Sequence, residues 1–143
     1  MERKLEVDIQ VIVHATEDLE KIFASFKDIF EIDKEEFSVQ NLQGHYENPI
    51  TLLLCKLKKK KAQGFVAKLV RGIPKEDMAL ILQDLQNRCD ESALHLRISK
   101  QQLVLGKIIL GDEDPIKLKI YTPIYMQKDL IKTYAEVLSQ DRI

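Results

Sequence analysis

Between Leu5 and His14 the chain alternates: Leu5, Val7, Ile9, Val11 and Val13 fall in one register, and Glu6, Asp8, Gln10, Ile12 and His14 in the other. A period of two predicts a strand with one buried face. Thr16 followed by Glu17 and Asp18 has the form of a helix start, with a capping hydroxyl and then acidic residues at the positive end. Leu19, Ile22, Phe23, Phe26 and Phe30 recur at helical spacing, so an amphipathic helix is expected over 17–30. Leu19 stands where a capping box needs Glu or Gln.

Phe37, Val39 and Leu42 mark a short second strand. The loop 43–48 follows, and Pro49 holds Asn48 out of helical geometry. Residues 50–57 are apolar in both registers, as expected of a strand near a sheet centre. Phe65, Val66, Leu69 and Val70 then form a helical stripe stopped by Gly72. Pro74 opens a further helix with Glu76 and Asp77 in its first turn and a stripe of Met78, Ile81, Leu82, Leu85 and Cys89. The last third reads as a meander. Leu94, Leu96 and Ile98 form one strand, Lys100 and Gln101 a turn, and 103–110 the returning strand with Gly106 as a bulge. Ile116, Leu118 and Ile120 make the third strand, ended by Pro123. A helix over 126–139 uses Leu130, Ile131, Tyr134 and Val137 or Leu138. The predicted order is β-α-β-β-α-α-β-β-β-α, an α+β fold with helices on one face of a mostly antiparallel sheet.

Composition adds bounds. The 143 residues are 45% hydrophobic and 31% charged, enough for a single domain spanning 1–143 with a real core. Two cysteines, Cys55 and Cys89, exclude a disulfide scaffold and read as small buried hydrophobes. No apolar run, 52–55 included, approaches the roughly 20 residues of a membrane span, and residues 1–5 lack a signal-peptide core. A cytoplasmic protein with reduced thiols and no membrane contact is expected.

The net charge of −1 argues at first against nucleic acid. It is a cancellation: residues 1–55 carry 5 basic and 12 acidic side chains, and residues 56–143 carry 17 and 11. Such a split points to an anionic partner for the second half. Lys56, Lys58, Lys59, Lys60 and Lys61 crowd one strand-to-helix junction, where mutual repulsion and the helix dipole both favour a bound anion. Lys68 and Arg71 lie further along the same helix. Arg97, Lys117 and Lys119 occupy polar positions of the later strands. A solvated lysine-rich edge that resists aggregation is the alternative account of the run.

No catalytic constellation emerges. His14, His45 and His95 fall on three elements without metal-ligand spacing, so no metal is assigned. Gly64, Gly72, Gly106 and Gly111 form no phosphate-cradling loop. The acidic groups Glu35/Glu36 and Asp112/Glu113/Asp114 sit in predicted turns, where solvation accounts for them. Tyr46, Tyr121 and Tyr125 are the exposed rings expected, too few to stack a row of bases.

Three segments resemble a known family. Val13-His14-Ala15-Thr16-Glu17-Asp18 is similar to its "VHATED" signature, Gly44-His45-Tyr46-Glu47-Asn48-Pro49-Ile50 to its "GHHGNPI" loop, and Leu94-His95-Leu96-Arg97-Ile98-Ser99-Lys100-Gln101 to its "LYLRLDKQ" hairpin. The family is that of archaeal RNA-binding proteins predicted to be exosome-associated, with a double-stranded-RNA-binding-domain-like fold. The resemblance implies an RNA-binding accessory protein, not an enzyme, that needs no cofactor. It directs interest to His14, Thr16, Glu17, Asp18, Gly44, His45, Asn48, Pro49, Arg97, Lys100 and Gln101. Tyr46 and Glu47 depart from the family's His and Gly, and Glu47 weakens phosphate contact at that loop. Capping explains Thr16 to Asp18, and turn geometry explains Asn48-Pro49, without any ligand.

The expected RNA contacts are Lys56, Lys58, Lys59, Lys60, Lys61, Lys68, Arg71, His45, Arg97, Lys100, Gln101, Lys117 and Lys119. The end of the first strand, the loop and the hairpin are expected to converge on one polar surface. The partners are RNA and, by the resemblance, exosome or other RNA-processing proteins. The alternative is a protein–protein adaptor docking through the acidic N-terminal half. Exposed edge strands are compatible with a monomer or a homodimer.

Overall fold

The computed structural model describes residues 4–43 and 48–139. Strand β1 (Glu6–His14) shows the expected alternation, with Val7, Ile9, Val11 and Val13 buried. Helix α1 (Leu19–Phe30) starts later than the sequence suggests. Its cap is Asp18, not Thr16: the Asp18 carboxylate accepts the amides of Glu20 and Lys21 at 3.0 and 3.3 Å. The preceding residues are drawn into a turn, in which Glu17 N–H donates to His14 O and Glu17 Oε1 accepts His14 N–H. Glu31 ends α1 in the left-handed region at φ 58°. Phe37 anchors the next segment, its ring 5.0 Å from that of Phe26 and 5.7 Å from that of Phe23.

Strand β2 (Ser38–Gln43) follows, with all of its residues exposed, Val39 and Leu42 included. Strand β3 (Pro49–Lys58) runs antiparallel to both β1 and β2. Helix α2 (Lys59–Gly72) inserts Phe65, Val66, Leu69 and Val70 into the core, and Phe65 stacks 4.5 Å from Phe30. The expected single helix after Pro74 is two: α3 (Lys75–Gln83) and α4 (Leu85–Arg88), broken at Asp84. Leu82, before the break, is exposed, while Leu85, after it, is buried.

Strand β4 (Cys89–Asp90) pairs with β5 (Ala93–Ile98). The meander expected next is absent. Residues 100–104 form helix α5 (Lys100–Val104), capped by Ser99, whose hydroxyl accepts Gln102 N–H at 3.1 Å. Gly106 (φ 89°) then reverses the chain. Residues 108–111 return beside the end of β5 through one bridge, Ile98 to Leu110, rather than as a strand. Ser-x-x-Gln at 99–102 is a helix-start signal, and it prevails over the apolar run after it. Strand β6 (Ile116–Tyr121) and, after a 3-10 turn at Gln127–Asp129, helix α6 (Leu130–Ser139) complete the described chain. Tyr134 of α6 is fully buried, its hydroxyl donating to Ser92 O at 2.6 Å and accepting Thr122 N–H at 3.2 Å. Ile131, expected in that stripe, is exposed.

The strands form one sheet in the order β2-β3-β1-β6-β5-β4, antiparallel throughout. Register places Leu53, Cys55 and Leu57, Val7, Ile9 and Val11, Ile116, Leu118 and Ile120, and Leu94, Leu96 and Ile98 on one face. These join the helical phenylalanines in one hydrophobic cluster. The fold is therefore α+β, with its helices on that face and the opposite face of the central strands open. No helix among the described residues is long and apolar enough to cross a membrane.

Candidate nucleic-acid interface

Because strand side chains alternate, the pairing register dictates what the open face presents. One row across four strands reads Lys56, Asp8, Lys119, His95. The next reads Ser38, Leu54, Gln10, Lys117, Arg97. On the other side lie Lys58, Glu6 and Tyr121. Directly opposed residues stand about 5 Å apart and successive same-face residues about 7 Å, so these cations share one continuous surface. Lys56, Lys117, Lys119 and His95 line an open depression of about 690 Å³ together with Asp8, Gln10 and Leu54 of the same face. A second depression of about 380 Å³ continues past His95 and Lys117 to Arg97 and Arg88.

The expected basic residues thus divide. Lys56, Lys58, Arg97, Lys117 and Lys119 meet on the open face. No ion pair involves Lys58, Lys117 or Lys119 among the described residues, and Arg97 is only 3.9 Å from a largely exposed Asp112. Lys59, Lys60 and Lys61 sit at the rim, around the start of α2, where Lys59 is left-handed at φ 56°. Lys61 turns to Glu36 at 2.6 Å, a hydrogen bond that holds its ammonium above the usual lysine range. Lys68 and Arg71 lie on the helical layer, behind the sheet. Lys68 pairs with Glu31 at 3.0 Å, which holds that carboxyl below its usual range, and Arg71 Nε donates to Ala67 O. Gln101 is exposed on α5. His45 lies outside the described residues, as do Gly44, Tyr46 and Glu47.

Lys100 is the clear departure. Its side chain is 3% exposed, and its ammonium donates to Ile12 O at 2.6 Å, Glu17 Oε1 at 2.8 Å and Asp114 Oδ2 at 2.6 Å. An ammonium with three internal acceptors and no solvent access is not available to a phosphate. His14 Nε2 lies 3.0 Å from the same Asp114 oxygen. The strand-1 and post-β5 signatures therefore do converge, but around an internal cation. His14, Glu17 and Asp114 have ligand atoms within 4.8 Å of one another; two of these oxygens already face Lys100, so the lysine takes the place a metal would need. Asp114 was unremarkable as a turn acid in sequence, and no spacing rule joins it to His14.

Open-face cations beside a buried lysine clamp are accompanied by wide similarity to known proteins. A family model described as RNA binding matches residues 6–122. The chain belongs to this RNA-binding family. It is 28% identical over 129 residues to an RNA-binding protein of Pyrococcus abyssi, covering 85% of this chain and 84% of that one. Among solved structures, a protein from Archaeoglobus fulgidus aligns with a TM-score of 0.80 at 31% identity, covering 94% of this chain and 99% of that one. A Sulfolobus solfataricus protein aligns at 0.76 and 29%, covering 96% and 99%. Membership of an RNA-binding family agrees with the expectation drawn from the sequence signatures, and the α+β fold with that drawn from the hydrophobic pattern.

Proposed function

We propose that this chain is a non-catalytic RNA-binding protein that grips the phosphate backbone across the open face of its sheet, as an accessory to archaeal RNA processing. The observation that carries the reading is that Lys58 and Lys56 of β3 and Lys119, Lys117 and Arg97 of β6 and β5 share one open face with His95, on either side of Glu6, Asp8 and Gln10 of β1. Lysines on rigid strands form a phosphate-binding surface at little entropic cost, and the exposed Lys59 and Lys60 extend it past the end of β3. Tyr121 is the one phenolic ring on this face of the described strands, so base stacking contributes little and backbone contact dominates. Backbone contact agrees with the double-stranded-RNA-binding-domain-like fold that the resemblance implies; that fold and the exosome association both belong to the proposal.

The adaptor alternative draws less support. Several of its acidic residues are engaged within the chain: Glu17 bonds Lys100, Glu31 pairs with Lys68 and Glu36 with Lys61. The decisive experiment compares RNA binding by the parent with Lys117→Glu/Lys119→Glu and with Lys68→Glu/Arg71→Glu. The first variant is expected to lose about tenfold or more in affinity and the second little. Equal binding by the sheet-face variant overturns the site. Retained pull-down of RNA-processing proteins by a variant that no longer binds RNA favours the adaptor.

A further inference from the structure

Asp8 has the wrong sign for its position. It stands between Lys56 and Lys119 on the open face, at the mouth of the central depression, where a carboxylate repels the phosphates that the lysines attract. Aspartate is also a poor strand residue, so the local backbone gives no reason for it. Its ion pair with Lys56 is a long one. The nearest cation, Lys56 Nζ, is 3.8 Å from Asp8 Oδ1, beyond hydrogen-bonding distance. Oδ1 is shielded from solvent and has no hydrogen-bond partner in the chain, while the side chain as a whole is 44% exposed, so Asp8 meets a ligand through its other carboxylate oxygen. The contrast with neighbouring acids is sharp: Glu36, which also lines the depression, is bonded by Lys61 at 2.6 Å and by Asp33 N–H at 3.0 Å. Asp8 is held ready to accept a hydrogen bond that the chain does not supply.

Resting on the reading of this face as an RNA-binding surface, we infer that Asp8 distinguishes RNA from DNA by accepting the hydrogen bond of a ribose 2′-hydroxyl. An ionised carboxylate is an acceptor only, and the donors a nucleic acid offers are base amines and, in RNA alone, the 2′-hydroxyl. With no row of aromatic rings to hold splayed bases, the donor that arrives with the backbone is the sugar. The row geometry matches that assignment. Along a strand of RNA each ribose lies between two phosphates, and along this row the carboxylate lies between two ammonium groups. Lys56 and Lys119 then take the phosphates and Asp8 the intervening hydroxyl. The charge repulsion Asp8 introduces lowers affinity for any polyanion, and the hydrogen bond restores it only for a ligand carrying the 2′-hydroxyl. This is selectivity obtained by disfavouring the wrong partner.

The test uses oligonucleotides of one sequence in two forms, all-ribose and 2′-fluoro, because 2′-fluoro keeps A-form geometry while removing the donor. The parent is expected to prefer the ribose form by about tenfold, the size of a charged hydrogen bond. Asp8→Ala is expected to bind the 2′-fluoro form as tightly as the parent or tighter, and to retain no more than about a twofold preference. Asp8→Asn, which keeps an acceptor oxygen and guards against a folding defect, should fall between the two. An Asp8→Ala variant that keeps the parent's preference overturns the inference, as does a parent that binds both forms equally. A parent that binds neither form removes the RNA-binding reading itself, a separate and recognisable failure.

Discussion

Lys100 Nζ lies 2.8 Å from Glu17 Oε1, joining residues 83 apart in the sequence through a side chain that is 3% exposed. Glu17 in turn accepts the His14 amide, so the lysine ties the end of β1 and the turn before α1 to the start of α5. Burying an ammonium is costly unless it is fully bonded, and here three oxygens satisfy it.

Replacing Lys100 by Met therefore removes three hydrogen bonds and leaves two carboxylates facing each other. Loss of one partner of a fully buried pair costs about 3–5 kcal/mol. Glu17 and Asp114 keep 25% and 44% exposure, which lets water relieve part of that. Lys100→Met is expected to lower stability by about 2 kcal/mol, read as a shift in the urea midpoint at unchanged slope. RNA affinity measured well below the melting temperature should be unaltered. A stable variant with reduced RNA binding would instead return Lys100 to the interface.

The same cluster sets an acid limit on stability. Burial pushes the Asp114 carboxyl up, but hydrogen bonds from Lys100 and His14 outweigh it and hold the group below its ordinary value of 3.8. A carboxyl lowered by folding stabilises the native state above its unfolded value, and that contribution disappears as pH falls through the native one. Urea midpoints should thus drop as pH is taken below about 3.8, and drop less steeply in Asp114→Asn. Parallel pH profiles for the two proteins would show that the cluster does not carry this dependence.

The sheet was legible because its signal is local. Alternation from Leu5 to Val13, and again at Leu94–Ile98 and Ile116–Ile120, fixes which face is buried without knowledge of the partner strand. The segment after Ile98 departs from its local pattern: the apolar run reads as a strand, yet Ser99 and Gln102 form a helix cap. Leu82 lies in α3 on the edge of its stripe: Met78 and Ile81 are the buried residues of that helix, and Leu82 beside them is exposed. The charge split between the two halves was real, but part of it is neutralised internally, Lys61 by Glu36 and Lys68 by Glu31. Lysines that cluster in sequence, such as Lys61 and Lys58, are sent to different neighbours. Lys117, Lys119, Arg97 and Lys56 are gathered only by pairing, which no spacing along the chain encodes.

Cys55 offers a check on the buried face. Burial pushes its thiol up to about 11, with nearby Glu36 adding to the effect and Lys61 opposing it. At pH 8 the native protein should leave Cys55 unreacted toward an aromatic disulfide reagent, while half-buried Cys89 reacts slowly. Both should titrate at once in urea. Rapid modification of Cys55 in the folded protein would mean that the sheet opens between β1 and β3.

The salt dependence of RNA binding decides how many of the open-face cations engage phosphate. Each lysine that neutralises a phosphate releases condensed counterion, so the logarithm of affinity falls against the logarithm of salt with a slope near −0.7 to −0.9 per contact. If Lys56, Lys117, Lys119 and Arg97 act together, the parent slope should be about −3 to −4, and Lys117→Ala/Lys119→Ala should reduce its magnitude by about 1.5. Lys61→Ala should leave it nearly unchanged, because that ammonium is already committed to Glu36 at 2.6 Å. A slope lowered equally by Lys61→Ala and by the sheet-face pair would mean that RNA breaks the Lys61–Glu36 bond on binding. The interface would then extend from the sheet onto the start of α2, with the cationic rim of Lys59 and Lys60 as part of the grip rather than its border.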